Sequence, residues 1–328
     1  MRFLPITFLT ILLLSACTPP EDAVVRENTA PDRAEAPASP YGFNKEALLA
    51  AAAASPTRWP GGARAAVVLT YDDGLPCQLD HAWPLLDSLG LKATFYLNAS
   101  APTLPDRLDD WRALAAAGHE LGNHTLYHPC MRTRPGRDDY EWVRDEHNLN
   151  NYSHDQIKGE IWIANTFLRA IDGRPERTFA YTCCDYMAGP DDEPFYDGIR
   201  DIFPAARNEG PNPETLDGAD LMLLPSVSVG GFSAAQMIET VEDARAKGTV
   251  ATLMFHGIDC GNLRVTEADH RAFLDYLVAH PEDYWVGTFH ELATILGAEG
   301  GGGAAAGAGR IEEEQREEDR QPILRYSF

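Results

Sequence analysis

Five side chains in three short stretches have the types and spacing for metal-assisted hydrolysis. Asp72 and Asp73 are adjacent, and two neighbouring carboxylates repel unless a cation or proton lies between them, although an Asp-Gly pair also suits a solvated turn. His124 and His128 have the i, i+4 spacing that puts both rings on one helical face, but such a pair alone is more often structural. His256 ends an apolar run, where a lone histidine is more often a core residue. Together they provide one carboxylate and two histidines for a metal, and a second carboxylate and third histidine for proton transfer.

The segments around these side chains alternate between predicted strands and helices. Residues 65–71 form a continuous apolar, β-branched run, typical of a strand buried on both faces of a parallel sheet. Further strands are predicted over 93–97, 120–123, 178–181, 221–224, 250–255 and 284–286, and helices over 79–89, 108–117, 153–171, 233–246, 267–279 and 288–296. This alternation predicts an α/β fold, either an open doubly wound sheet or a barrel. In both architectures the active site lies at the carboxyl ends of the strands.

The composition excludes several classes of protein. A chain of 328 residues, with 44% hydrophobic and 23% charged residues, is globular and long enough to bury a large core. Its net charge of −23 makes a nucleic-acid backbone or an anionic membrane face an unfavourable partner. No apolar run reaches the ~18–20 residues that cross a bilayer.

The two ends of the chain differ in composition from the middle. Arg2 and the apolar residues 3–14 form a signal-peptide pattern, and Leu14-Ser15-Ala16-Cys17 resembles the lipobox of bacterial lipoproteins, in which the matching cysteine is lipidated. The alternative is an ordinary secretory signal with an incidental cysteine. We therefore expect a signal peptide over 1–16, a flexible tether over 17–57, a folded domain over 58–297 and a low-complexity, charged tail over 298–328. The expected location is exported and lipid-anchored to a bacterial membrane, facing the periplasm or the cell surface.

Three motifs resemble those of the NodB-type polysaccharide deacetylases, carbohydrate esterase family 4. Thr70-Tyr71-Asp72-Asp73-Gly74 resembles the family's T-F-D-D-G motif, residues 118–129 follow the extended form of its H-[ST]-x-x-H motif, and residues 253–256 resemble its late L-x-x-H motif. Order and spacing agree over about residues 59–296. The resemblance implies a single-domain, distorted (β/α) barrel.

The resemblance also implies a role for each of the five residues. Asp73, His124 and His128 match the family's metal ligands, usually for zinc, with another divalent metal such as cobalt as an alternative. Asp72 matches the general base that takes a proton from the attacking water, and His256 matches the general acid that protonates the departing amine.

The implied activity is metal-dependent hydrolysis of acetyl groups on a polysaccharide or oligosaccharide, first of all N-deacetylation of an amino-sugar polymer. Two alternatives stay open: an O-acetyl esterase on xylan-type glycans, and a non-catalytic glycan-binding lipoprotein. The expected partners are the acetylated glycan and a membrane, reached through the lipid anchor, with no nucleic acid.

One family motif departs from its usual pattern. The third motif, R-P-P-[YF]-G, corresponds to residues 180–184, where Ala180 replaces the arginine that holds the catalytic Asp and Cys184 replaces the glycine. Arg207 is the candidate substitute for that arginine; otherwise it is a surface residue. If the backbone role of the motif transfers, the Cys183 N–H is the oxyanion donor. The family's fourth motif has no recognisable counterpart.

The cysteines besides Cys17 all follow or lie within segments assigned to the rim of the site. Because an exported chain favours disulfides, we expect Cys130 to pair with Cys183; Cys77 with Cys260 is the next choice, which leaves Cys184 unpaired. The alternative is five buried free thiols. Residues 132–151 form a long polar stretch containing Trp142, either a sugar-binding wall beside the site or a solvated excursion.

Overall fold

A computed structural model describes residues 42–304 of the chain, and strands and helices alternate through most of this range. The helices are α1 (Lys45–Ala53), α2 (Trp83–Ser88), α3 (Thr103–Asp106), α4 (Leu108–Ala116), α5 (His154–Asp172), α6 (Ala234–Lys247), α7 (Glu267–Ala279) and α8 (Phe289–Ala304). The strands are β1 (Ala65–Asp72), β2 (Thr94–Leu97), β3 (Glu120–Asn123), β4 (Phe179–Ala180), β5 (Met187–Ala188), β6 (Glu193–Pro194), β7 (Ala206–Arg207), β8 (Val227–Ser228), β9 (Val250–Phe255) and β10 (Tyr284–Gly287).

All strands except β5 and β6 belong to one parallel sheet with β1 at its centre. The order is β7-β4-β3-β2-β1-β9-β8, and β10 pairs with the first half of β1 while β2 pairs with its end. Every residue of β1 is buried, as its uninterrupted apolar run predicts. The carboxyl ends of these strands therefore meet at one edge, where the predicted site residues follow β1, β3 and β9.

The sheet curls so that its two edge strands, β7 and β8, are joined by residues 224–228. Leu224 bridges to Arg207 of β7, and a few residues later Val227 of β8 pairs with Leu253 of β9. This closure confirms the distorted (β/α) barrel expected from the sequence. The strand predicted over 221–224 is wrong for most of its length: Leu221–Leu223 is a 3₁₀ turn, because the Asp220 side chain accepts a hydrogen bond from the Met222 N–H.

Alternate residues of β1 face two different layers. Val67 and Tyr71 pack in a cluster with the outer helices, whereas Ala66 and Val68 pack inside the barrel with Phe289 of α8. By this alternation the side chain of the last β1 residue points into the barrel interior.

The segments predicted as a flexible tether and as a low-complexity tail both contain helix. Within the predicted tether, α1 is capped by Asn44, and its Leu48 and Ala52 pack on the interior cluster. An alanine-rich sequence has high helix propensity, which explains α1. At the other end, α8 continues through the first residues of the predicted tail to Ala304. The predicted signal peptide, Cys17 and most of the tail lie outside the described residues. None of the described helices is long and apolar enough to cross a membrane.

Candidate active site

The two adjacent carboxylates at the end of β1 point in different directions. Asp72 is 2% exposed and belongs to the inward-facing set of β1 residues. Asp73 has a φ of +77°, in the left-handed region that Asp tolerates better than most residues, and its N–H donates to the Tyr96 carbonyl of β2 at 3.0 Å. This turn separates the two carboxylates, so that each can meet a different partner.

His124 and His128 lie on an irregular loop after β3, so the helical geometry expected from their spacing is wrong. Thr125 and His128 both have positive φ values. Two side-chain hydrogen bonds hold this backbone: Thr125 N–H donates to Asn123 Oδ1 at 2.8 Å, and His128 N–H donates to Thr125 Oγ1 at 3.0 Å. The loop nevertheless brings the two imidazole centroids within 4.9 Å of each other.

Asp73, His124 and His128 together form a donor set that fits a divalent metal. Asp73 Oδ1 lies 3.2 Å from His128 Nε2 and 3.7 Å from His124 Nε2, and the three ligand atoms lie within 4.8 Å of one another. Asp73 Oδ1 is buried and has no hydrogen-bond partner among the described residues. One carboxylate and two imidazoles suit zinc or cobalt and leave coordination positions for water and substrate.

The protonation of His124 and of Asp73 also suits metal binding. Burial lowers the pKa of His124 to about 4. Its Nδ1 lies 2.8 Å from the Ala180 carbonyl, which can only accept, so Nδ1 carries the hydrogen and Nε2 presents its lone pair to the site. Burial opposes ionisation of Asp73, but the attraction of the adjacent His128 ring outweighs it and holds the pKa of Asp73 below its usual value.

Arg207 forms a buried ion pair with Asp72, which is the place the sequence proposed for it. Arg207 Nη2 donates to Asp72 Oδ2 at 2.5 Å, and both residues are at most 2% exposed. In the sheet, Arg207 of β7 is directly opposite Ala180 of β4, the position at which the third motif lacks its arginine. The guanidinium thus comes from the neighbouring strand. It also donates to Ser226 Oγ at 3.1 Å and lies over the Tyr96 ring at 5.0 Å.

His256 follows β9 and faces the same centre. Its Nε2 lies 4.0 Å from Asp73 Oδ2, and its buried Nδ1 has no hydrogen-bond partner within the described range. Asp73 therefore places a carboxylate close to the imidazole ring of His256.

Gln78 is a buried residue of the site that the sequence analysis missed. Its side-chain amide donates both to the Asp72 carbonyl at 2.5 Å and to the His256 carbonyl at 3.0 Å. It thereby ties the end of β1 to the end of β9. No short motif marks such a residue; only its position shortly after the Asp pair could have drawn attention to it.

Two disulfides lie beside these loops, and both match the pairings considered from the sequence. Cys130 is bonded to Cys183, and Cys77 to Cys260, while Cys184 is a free cysteine. Cys130 Sγ lies 3.5 Å from Nδ1 of His128, so the first bond sits directly behind a predicted metal ligand. Cys183 has a φ of +51° within the 3₁₀ turn Thr182–Cys184, and its N–H remains the predicted oxyanion donor.

The chain is similar to several known proteins. Residues 61–189 match the family model described as polysaccharide deacetylase. A crystal structure from Mycobacterium smegmatis, of a protein assigned to the polysaccharide deacetylases, is 15% identical, covers 75% of this chain and 95% of its own, and has a TM-score of 0.51. A family 4 acetyl xylan esterase from Clostridium thermocellum, solved with a cobalt ion, is 19% identical, covers 70% of this chain and 90% of its own, and has a TM-score of 0.44.

A longer relative matches in sequence. A gellan lyase from a Bacillus species is 24% identical over 264 residues, which is 71% of this chain but only 9% of that protein. The chain thus spans less than a tenth of the length of this relative. Residues 61–189 thus match the polysaccharide deacetylase model, and the observed barrel agrees with the NodB-type (β/α) barrel expected from the sequence.

Proposed function

We propose that this chain is a metal-dependent hydrolase that removes acetyl groups from a polysaccharide, first of all N-acetyl groups of an amino-sugar polymer. One observation carries the proposal. Asp73, His124 and His128 converge beside Asp72, whose charge is compensated by a buried arginine. A glycan-binding protein without turnover needs no such combination of metal donors and proton-transfer groups. The missing arginine of the third motif favoured that non-catalytic alternative. The ion pair of Arg207 with Asp72 supports an active enzyme instead.

In this proposal Asp73, His124 and His128 hold zinc or a similar divalent metal. When bound, such an ion polarises the acetyl carbonyl and lowers the pKa of water. Asp73 supplies a carboxylate with an unpartnered buried oxygen, and His124 supplies a lone pair fixed by its hydrogen bond to the Ala180 carbonyl. His128 would supply the third ligand atom.

Asp72 acts as the general base toward the attacking water. Arg207 binds its Oδ2, whereas its buried Oδ1 has no hydrogen-bond partner among the described residues. One oxygen is therefore anchored while the other can accept a proton. Arg207 is a positioning residue, because it touches Asp72 and acts through it.

His256 acts as the general acid on the opposite side of the cleaved bond. An amine is too basic to leave without a proton, so N-deacetylation requires such a donor more than ester cleavage does. Overall, water adds to the acetyl carbon, the C–N bond breaks, Asp72 takes one proton from water and His256 delivers one to nitrogen. We assign stabilisation of the carbonyl oxygen's developing negative charge to the Cys183 N–H.

The proposal places the enzyme outside the cytoplasm. A signal peptide followed by Cys17 in a lipobox-like sequence supports export and a lipid anchor. The same environment suits the two disulfides.

The test is release of acetate and of free amine by the zinc-loaded chain from N-acetylglucosamine oligomers, beside release of acetate from acetylated xylan. Asp72→Asn is the inactive variant, and Asp109→Asn, on the exposed face of α4, is the matched control. Equal amounts of amine and acetate, abolished only by Asp72→Asn, are expected. Acetate from xylan alone would replace N-deacetylation by ester hydrolysis. No release from either substrate would contradict the proposal.

A further inference from the structure

An exposed tryptophan stands in the long polar stretch that follows the metal-binding loop. Trp142 is 61% exposed, and its ring packs against Tyr140 with centroids 5.4 Å apart. A large aromatic ring exposed to water gains the free energy of burial when a ligand covers it.

The loop that carries Trp142 is fastened to the site. Asp185 is buried, and its carboxylate accepts hydrogen bonds from Arg134 and Arg137, each at 3.0 Å, and from the Met131 N–H at 2.8 Å. Arg137 also lies 4.0 Å above the ring of Tyr140, the neighbour of Trp142. Since Asp185 directly follows Cys183 and Cys184, the loop is tied to the third motif and is a preformed surface.

Trp142 forms one wall of a cavity of about 480 Å³ with mixed polar lining. The other lining residues are Arg132, Glu141, Val143, Arg144, Asp145 and Glu146. Arg132 pairs with Asp145 at 2.7 Å, and Arg144 pairs with Glu146, so both positive charges are compensated. Glu141 has no ion-pair partner in the described part of the chain. The cavity therefore offers an aromatic face, several acceptors and no surplus positive charge.

These properties match a neutral or amino-sugar ring better than an anionic ligand. A pyranose presents C–H groups on its faces, which stack on aromatic rings, and hydroxyl groups at its edge, which bond to carboxylates. An anion would meet the uncompensated Glu141.

A second aromatic pair connects the residues that line the cavity with the metal-binding loop. Tyr127 directly precedes His128, and its ring stacks on His147 with centroids 4.9 Å apart and an interplanar angle of 10°. His147 ends the turn Asp145–His147, whose first two residues line the cavity. The metal-binding loop and the cavity-lining turn are therefore in direct contact through Tyr127 and His147.

We propose that Trp142 and the cavity beside it form a distal subsite, which stacks a neutral or amino-sugar ring of the same glycan whose acetyl group is cleaved. This inference rests on the proposed function for the identity of the glycan, but binding at Trp142 needs no turnover. Short substrates that end before the subsite would not use it.

The test is calorimetric titration of the full chain carrying Asp72→Asn with the tetramer of N-acetylglucosamine and with acetylated xylotetraose. Whichever of the two tetramers binds, Trp142→Ala is expected to raise its Kd about tenfold. Trp162→Ala, a matched control at a 63% exposed tryptophan on α5, is expected to leave the affinity unchanged. In the active chain, Trp142→Ala should raise KM for the tetramer and leave kcat on a disaccharide unaltered.

The outcomes separate this inference from the proposed function. Binding that depends on Trp142, without acetate release by the active chain, would keep the subsite and refute the deacetylase. Equal affinity of Trp142→Ala and its parent, equal loss in Trp162→Ala, or no binding of either tetramer at millimolar concentration would overturn the subsite.

Discussion

Asp72 and Asp73 are neighbours in sequence, yet each has its own positively charged or metal-binding counterpart. The left-handed backbone of Asp73 directs its carboxylate toward His124 and His128, while Asp72 pairs with Arg207 inside the barrel. Burying two carboxylates side by side would otherwise be costly, because each charge loses its hydration. The separation of the pair thus lowers the cost of burying Asp72 and also serves the proposed chemistry.

The first prediction concerns the stability of the buried pair. Arg207→Gln leaves the carboxylate of Asp72 without its partner, and we expect the free energy of unfolding to fall by about 3 kcal/mol. Adding Asp72→Asn should restore part of the loss, because no charge is then left uncompensated. Urea unfolding of the two single variants and the double variant measures this coupling.

The matched control is Arg200→Gln, in an ion pair with Asp220 whose two side chains are 41% and 38% exposed. Removal of this surface pair should cost less than about 1 kcal/mol. Additive effects of Arg207→Gln and Asp72→Asn, with a loss no larger than that of the control, would contradict the account of the buried pair.

At the scale of elements, the loops at the carboxyl ends of β1, β3 and β9 carry the site and are joined by a few cross-connections. Gln78 bonds to the carbonyls of Asp72 and His256, and the Cys77–Cys260 disulfide joins the same two loops. The relative position of the proposed base and acid therefore depends on these connections rather than on the strands alone.

The second prediction concerns Gln78. Gln78→Met keeps the volume of the side chain but removes both hydrogen bonds, so the ends of β1 and β9 can shift. We expect kcat to fall about tenfold with little change in KM, because the proposed base and acid lose their alignment. Steady-state kinetics on an N-acetylglucosamine oligomer, beside urea unfolding, measures both effects.

Gln156→Met makes the same chemical change at the exposed start of α5 and should have wild-type kinetics. A change in KM without a change in kcat, or unchanged values of both, would refute a positioning role for Gln78. Equal effects of the two variants would do the same.

The sequence predicts these elements better than it predicts the site geometry. Strand β1 and helix α7 could be recognised because apolar patterning over many residues is a local signal, and α7 begins and ends where it is predicted. The loop from His124 to His128 has no periodicity, and side-chain hydrogen bonds set its left-handed backbone. The ion pair of Arg207 spans 135 positions and depends on the register of two-residue strands, which no local pattern encodes.

On the scale of the whole molecule, a chain of net charge −23 keeps several histidines buried and uncharged. Burial lowers the pKa of His119 to about 4 and that of His270 to about 3. His270 bonds through Nε2 to the Tyr71 hydroxyl at 2.7 Å, and His119 faces Asp87 at 3.1 Å. Neither histidine belongs to the candidate site, so their effect concerns stability alone.

The third prediction is that acid destabilises the fold through these two histidines. Their pKa in the folded state lies below the unfolded value of about 6.5, so the unfolded chain binds more protons between about pH 6.5 and pH 4. The stability they contribute is fully present above about pH 6.5 and is lost as the pH falls. Between about pH 7.5 and pH 5, each histidine should cost roughly 2 kcal/mol.

Urea unfolding at both pH values measures this loss, and His119→Gln and His270→Gln should each flatten the dependence. A free energy of unfolding that stays constant or rises on acidification, or the same slope in both variants and the wild type, would show that these histidines are not kept neutral by burial.

The central claim is that Asp73, His124 and His128 hold one metal ion on which deacetylation depends. The most direct measurement is a zinc titration of the metal-stripped full chain, in which bound zinc and acetate release from an N-acetylglucosamine oligomer are followed together, beside Asp73→Asn. We predict that activity rises with zinc to a plateau at a single bound equivalent, and that Asp73→Asn loses both tight binding and activity. Acetate release that is independent of added metal and unchanged by Asp73→Asn would contradict the account.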